Sequence, residues 1–187
     1  ARGVTLNIAI FGGSFDPPHI GHEKIVEKAL EMLELEQLFV VPTFLSPFKE
    51  TFSAPPALRL EWLQKIFAST PKTKVLSYEC DQHRQVPTIE TVLHVKHLYP
   101  QAHIYLIMGS DAYATLPLWR RYEELSSLVE YVVATRAIRS YPEDLKILPI
   151  HVNISSTKLR ESFDEMFIPQ AIRNEVQAYY TVKESNG

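Results

Sequence analysis

Short apolar runs alternate with amphipathic stretches along nearly the whole chain, and no other feature constrains its fold as strongly. Thr5–Phe11 reads as a buried strand ended by Gly12-Gly13. From Ile20 the period changes: Ile25, Val26, Ala29, Leu30 and Leu33 share one helical face, with Glu23, Lys24, Glu27, Lys28 and Glu31 opposite. Gln37–Pro42 is again strand-like, Thr43–Pro56 is a proline-containing loop, and Pro56 opens a helix with Leu58, Trp62, Ile66 and Phe67 on its apolar side. Lys74–Tyr78 reads as a strand, Thr88–Leu98 as a helix, and His103–Met108 as a strand ending at Gly109. A short helical stretch follows near Asp111. Tyr131–Thr135 and Ile147–Val152 are further strands, and Ser156–Met166 and Pro169–Tyr180 are closing helices. Such alternation predicts an α/β architecture: an open parallel sheet with helices on both faces. Of six glycines, Gly12, Gly13 and Gly109 fall just past strand ends and Gly21 opens the first helix, where an open sheet receives ligands.

At 187 residues without a linker, repeat or low-complexity tract, the chain is expected to form one domain, 1–187, with the closing helices 156–180 packed on it. The net charge of −3 supplies no basic field for nucleic acid, so any anion must be held by a local set of donors. The single cysteine, Cys80, allows neither an internal disulfide nor a thiolate metal cluster and reads as a half-buried thiol. No apolar run has the length to cross a bilayer, and a cytoplasmic location is the expectation.

Gly12-Gly13-Ser14-Phe15-Asp16-Pro17-Pro18-His19-Ile20-Gly21-His22 joins the first strand to the first helix. Paired glycines let backbone approach an anion, and the helix N-terminus offers unpaired N–H groups and a positive dipole. His19 and His22, three residues apart, project from neighbouring positions of the first turn and can donate to phosphoryl oxygens. A capped helix start with two surface histidines would share that spacing. The glycine pair, Asp16 and the strand–helix context favour phosphate binding. A metal site on the histidine pair lacks evident further ligands, so no protein metal site is expected. Near the other end, Ser155, Ser156 and Thr157 can cap a helix whose N–H groups face an anion, with the planar fork of Arg160 one turn on.

The first segment resembles the GGSFDPPHxGH signature of the HIGH-motif nucleotidyltransferases, whose fold is Rossmann-like. Ile154-Ser155-Ser156-Thr157-Lys158-Leu159-Arg160 resembles their second signature, ISSTxxR. Within that superfamily the chain is most similar to the bacterial nicotinate mononucleotide adenylyltransferases, over nearly its whole length. Pro47-Phe48-Lys49 stands where they have Pro-His-Lys, Pro87-Thr88-Ile89-Glu90-Thr91 resembles their Tyr-Thr-x-x-Thr stretch, and Gly109-Ser110-Asp111 with Leu116-Pro117-Leu118-Trp119 resembles their Gly-x-Asp and Leu-Pro-x-Trp pair. Phe48 for the usual His and Arg136-Ala137-Ile138 for the usual Arg-Pro-Gly are departures, which bear on the loop and the adenine pocket rather than on the reaction.

The resemblance implies transfer of AMP from ATP to nicotinate mononucleotide, giving nicotinate adenine dinucleotide and pyrophosphate in NAD biosynthesis. His19, His22, Lys49 and Arg160 would be the catalytic set, read as a local positive cluster. Gly12, Gly13, Ser14, Phe15, Gly109, Asp111, Arg136, Ser156 and Thr157 would bind ATP. Trp119 would stack on the pyridine ring, with backbone at Thr88 and after Trp119 receiving its carboxylate. Mg2+ would come with ATP rather than from a protein cage. The remaining histidines, Trp62, Asp16 and Arg59 read as structural or surface groups, the last two with a ligand role left open. Oligomeric state is left open, a homodimer being one option. Three rival readings stand beside this one: nicotinamide mononucleotide as the acceptor, another reaction of the same superfamily, and a non-catalytic nucleotide sensor.

Overall fold

The computed structural model of the chain describes residues 6–45, 54–136, 141–152 and 155–186, with side chains as far as 179. Among these, the strands are β1 (Leu6–Gly13), β2 (Gln37–Pro42), β3 (Thr73–Val75), β4 (Ala102–Gly109), β5 (Val129–Thr135) and β6 (Lys146–Pro149). They form one sheet in the order β3-β2-β1-β4-β5-β6, and every pairing is parallel. The helices are α1 (Ile20–Met32), α2 (Pro56–Phe67), α3 (Tyr78–Asp81), α4 (Thr88–Leu98), α5 (Ser110–Thr115), α6 (Tyr122–Leu128), α7 (Ser156–Glu161) and α8 (Arg173–Asn186).

Side chains alternate across each strand, so the two faces have separate cores. Ala9, Phe11, Leu38, Val40, Ile107, Val132 and Leu148 pack with Val26 and Ala29 of α1 and Leu63 and Phe67 of α2. Ile8, Ile10, Phe39, Val41, Leu106, Met108 and Val133 pack with Ile89, Val92 and Val95 of α4 and Leu125 of α6. Each such aliphatic side chain contributes roughly 1.5–3 kcal/mol by leaving water. Burial on both faces is why these strands read as continuous apolar runs. A third cluster joins Ala54, Trp62, Leu159, Ile168, Ile172 and Val176, fastening α7 and α8 to the outer side of α2. Trp62 is a core residue, as its helical phase predicted.

The chain runs from β1 outward to β2 and β3, then returns to lay β4 on the other side of β1. That reversal opens a crevice at the carboxyl ends of β1 and β4. Gly12-Gly13 and Gly109 end these two strands.

Several boundaries differ from the sequence expectation. The strand expected over Lys74–Tyr78 is β3 at Thr73–Val75, and Tyr78 instead begins α3. The last strand stops at Pro149, with Ile150 N still donating to Thr135 O of β5 at 3.1 Å; β6 is the edge strand, where a proline whose N faces outward is tolerated. The helix expected over Ser156–Met166 ends at Glu161, because Ser162 is extended and Phe163 turns into the third cluster. A separate 3-10 turn, Glu165–Phe167, follows, capped by Asp164. Pro169 likewise precedes a 3-10 turn at Gln170–Ile172 before α8 begins. α6 had no expectation at all: its one fully buried residue, Leu125, gives too weak a period to see.

Candidate active site

The glycine-to-histidine segment forms the turn between β1 and α1. Gly13 sits tightly against the turn: a Cβ there would lie 3.3 Å from the Phe15 ring and press on it. Phe15 has φ 51°, the left-handed region, which costs a bulky residue on the order of 1–3 kcal/mol. Its ring is 1% exposed and edge-on to both Phe11 and His22, at centroid distances of 5.4 and 4.6 Å. The side chain of Phe15 therefore supports the turn from inside, and only its backbone remains for a nucleotide.

His19 is the N-cap of α1. Its Nδ1 accepts from Gly21 N at 3.0 Å, while His22 Nδ1 accepts from His19 N at 2.9 Å. The two rings stack at 3.8 Å. Because both Nδ1 atoms are acceptors, each neutral imidazole carries its proton on Nε2. Burial pushes His19 down to about 4, and burial with the neighbouring His19 charge holds His22 well below its ordinary value. The expected positive pair is thus corrected: before an anion arrives, these histidines are neutral Nε2–H donors at a helix N-terminus. Two stacked imidazolium rings out of water would repel each other.

The second motif closes on the first. Ser155 caps α7 through Lys158 N at 3.1 Å, and Ser156 Oγ donates to Pro17 O at 2.8 Å. Arg160 donates from Nη1 to Asp16 O at 2.5 Å and from Nη2 to Thr157 Oγ1 at 3.3 Å. Asp16 is 3% exposed, and its Oδ1 accepts from Ala54 N at 2.9 Å. That bond is a long-range clasp between the turn and the residues that lead into α2. Arg59 is not a surface residue. It is 1% exposed and donates to the carbonyls of Ala54, Ser14, Thr43 and Phe44 at 2.7–2.9 Å.

Beside this turn lies a cavity of about 620 Å³ at the carboxyl ends of β1 and β4. Gly12, Gly13, Ser14, Thr88, Gly109, Asp111 and Trp119 line it, bringing seven of the sequence-selected residues to one place. Trp119 is partly buried, and its Nε1 donates to Thr115 Oγ1 at 3.0 Å, which fixes the indole at the wall. His19, His22, Ser156, Thr157 and Arg160 stand outside this lining, on the α1 and α7 side of the Gly12–Ser14 turn. Arg136 is exposed just past β5 and does not line the cavity. Lys49, with Pro47 and Phe48, lies outside the described residues, as do Ala137, Ile138 and Ile154.

Sequence reasoning missed Glu79, Gln85, Thr115 and Arg120, all of which line the cavity. Glu79 is 5% exposed and its Oε2 accepts from Thr91 Oγ1 at 2.5 Å. Burial pushes its carboxyl up to about 7, against the opposing effect of that hydrogen bond. Glu79 falls one residue past the expected Lys74–Tyr78 strand, in a stretch whose sequence carries no motif. Cys80 is more buried than expected: its thiol donates to Pro42 O at 3.4 Å, and burial pushes it up to about 11, away from reactivity. Among the other histidines, His94 stacks on Tyr78 and His103 pairs with Glu130 at 2.9 Å, so both have structural partners.

A doubly covered parallel sheet with a glycine–histidine turn at its switch point, clasped by a Ser-Ser-Thr–Arg helix, defines a nucleotidyltransferase fold. Residues 10–162 match the cytidylyltransferase-like family. The chain is 44% identical to a probable nicotinate-nucleotide adenylyltransferase of Nitratiruptor sp., covering 94% of this chain and 99% of that protein. It is 42% identical to the protein of that name from Campylobacter fetus, covering 97% and 99%. By this likeness the chain belongs to the nicotinate-nucleotide adenylyltransferase family. Among solved structures, it is similar in fold to the Plasmodium falciparum nicotinic acid mononucleotide adenylyltransferase complexed with NaAD. That match has a TM-score of 0.75 at 20% identity and covers 96% of this chain and 98% of the other. Among the described residues, no helix is long and apolar enough to cross a membrane.

Proposed function

We propose that the chain transfers AMP from ATP to nicotinate mononucleotide, forming nicotinate adenine dinucleotide and pyrophosphate as a step of NAD biosynthesis. The observation that carries this reading is the adjacency of two different features at one sheet edge. A turn carrying two Nε2–H donors stands beside a cavity walled by Thr88 and a fixed indole. The first suits a triphosphate and the second a planar ring.

The attacking 5'-phosphate is already largely ionised near neutral pH, its second pKa being about 6, so the site needs no general base. What it must supply is in-line placement of two polyanions and stabilisation of charge on the transferring group. His19 and His22 donate from Nε2, Arg160 and the α7 N-terminus approach from the other side, and Lys49 adds a further cation. Backbone at Gly12, Gly13, Ser14 and Phe15, with Ser156 and Thr157, completes the ATP cradle. Gly109 and Asp111 face the ribose, with Arg136 near the adenine.

Nucleotidyl transfer generally uses a divalent metal ion. Among the described residues, no group of three or more His, Cys, Asp or Glu is arranged to hold one, and Asp16, the carboxylate in the turn, is buried against Ala54. That donor set suits Mg2+ carried by the ATP phosphates, where it would neutralise charge on the triphosphate.

The test is pyrophosphate release from Mg-ATP with nicotinate mononucleotide, nicotinamide mononucleotide and phosphopantetheine in parallel. Release is expected with a pyridine mononucleotide, the acid form leading. Equal background release with all three would overturn the reading. Trp119→Ala is expected to raise the mononucleotide KM roughly ten-fold or more, consistent with about 1–3 kcal/mol for stacking a base on an aromatic ring, while the ATP KM changes little. An unchanged mononucleotide KM in steady-state kinetics would put the ring elsewhere.

A further inference from the structure

We propose that Glu79 is a specificity-determining residue of this cavity, its carboxyl setting the choice between a pyridine ring bearing a carboxylate and one bearing an amide. The inference rests on the proposed acceptor chemistry and adds to it a residue that no part of that reading requires.

Glu79 sits in the cavity wall at 5% exposure, and only one of its oxygens is committed. Thr91 Oγ1 donates to Oε2, and Oε1 has no hydrogen-bond partner among the described residues. Thr91 is itself fully buried on α4, whose N-terminal residues Pro87 and Thr88 line the same cavity. The bond therefore fixes the carboxyl against the helix that presents Thr88. A buried glutamate held by a threonine, with its second oxygen uncommitted beside the ring-binding wall, is built to meet a ligand.

Charge makes the position decisive. Among the described lining residues, Glu79, Asp111 and Arg120 are the charged side chains. With both carboxyls ionised, the lining carries one excess negative charge, and an anionic ring is repelled. With Glu79 neutral, the lining is balanced, and the carboxyl can donate a proton to a ring carboxylate in a hydrogen bond. Ionised, it can instead accept from the N–H groups of a ring amide.

Thr91 and Glu90 of α4 act on Glu79 directly, Glu79 in turn acts on Cys80, and other titratable groups lie on the neighbouring segments. Tyr78, Cys80 and Asp81 share α3, and Glu90 and His94 lie on α4. His83 and Arg84 lie between these helices, Arg84 being paired with Glu90 at 2.7 Å. Arg59 of α2 lies close enough to act on the Cys80 thiol, and its guanidinium is committed to carbonyls. Burial, with a smaller contribution from Glu90, keeps the Glu79 carboxyl protonated up to about pH 7. The charge on the cavity wall then changes within the range in which the protein would work.

The experiment measures kcat/KM for nicotinate and nicotinamide mononucleotides on the full chain from about pH 6 to about pH 8.5, and follows their ratio. Taking the ratio cancels the titrations of ATP, of the attacking phosphate and of the histidines, which both acceptors share. The acid-to-amide ratio is expected to fall roughly ten-fold as pH rises through about 7. Glu79→Gln should make the ratio flat. Thr91→Val, which removes the hydrogen bond favouring the ionised form, should move the break to higher pH. A wild-type ratio that varies less than about two-fold over this range overturns the proposal, as does a Glu79→Gln ratio sloping like the wild type. If Glu79→Gln does not fold, the wild-type profile and the Thr91→Val shift decide the matter alone. Absence of turnover with both mononucleotides at every pH would remove the proposed reaction, and this inference with it. Turnover with a flat ratio removes the inference only.

Discussion

His22→Ala is expected to lower kcat by well over ten-fold, on the order of 100-fold, with a much smaller loss of stability. Removing one preorganised donor to a developing oxyanion typically costs about 100- to 1,000-fold. The His22 Nε2–H has the features of such a donor: its tautomer is set by the bond from His19 N to Nδ1, and its ring is held between Phe15 and His19. The stability cost is that of a lost cap contact, about 1 kcal/mol. His22→Asn separates the two roles, because a shorter amide can still accept from His19 N but has no group at the Nε2 position. Single-turnover rates and thermal melts for both variants check this. Near-normal turnover in either would remove His22 from the chemistry.

The largest stability effect is expected from Arg59→Met. The guanidinium binds four carbonyls, at Ala54, Ser14, Thr43 and Phe44, and so joins the turn after β1, the end of β2 and the start of α2. Methionine fills much of the volume but leaves those acceptors stranded out of water. Breaking a buried charged network from one side costs about 3–5 kcal/mol. For a chain of this length that is a fall in Tm of roughly 10 °C. Arg59→Lys should recover only part of it, since an ammonium cannot reproduce the planar fork. A chemical-denaturation loss under about 1 kcal/mol for Arg59→Met would show that the carbonyls find other donors.

The sheet was legible because its strands are buried on both faces, which makes Leu38–Val41 and Ile104–Met108 plain apolar runs. The site was legible where backbone geometry demands particular residues. Gly13 could be read because any side chain there would press on the Phe15 ring, and Ser155 because a helix end needs an acceptor. What the sequence hid were side chains defined by distant partners. Arg59 looked like any helix-surface arginine, since its four acceptors come from three other segments. Glu79 lay between the expected elements with nothing to mark it, since its environment is made by α4, which begins nine residues later. The histidine pair was found but misread in charge, because a one-dimensional spacing carries no information about ring stacking or burial. α7 was placed but drawn too long, because the turn at Ser162 answers to the third cluster rather than to local period.

The bonds from Ser156 to Pro17 and from Arg160 to Asp16 span 139 and 144 residues. Such closure is entropically slow to reach, and it comes after the local elements have formed. A nascent chain emerging from the ribosome can therefore pair its first strands and pack α1 long before its Gly12–His22 turn is clasped. On the proposed roles of Ser156 and Arg160, nucleotide chemistry would wait until the last part of the chain has been synthesised, and copies truncated before α7 would be inert toward ATP rather than wastefully active.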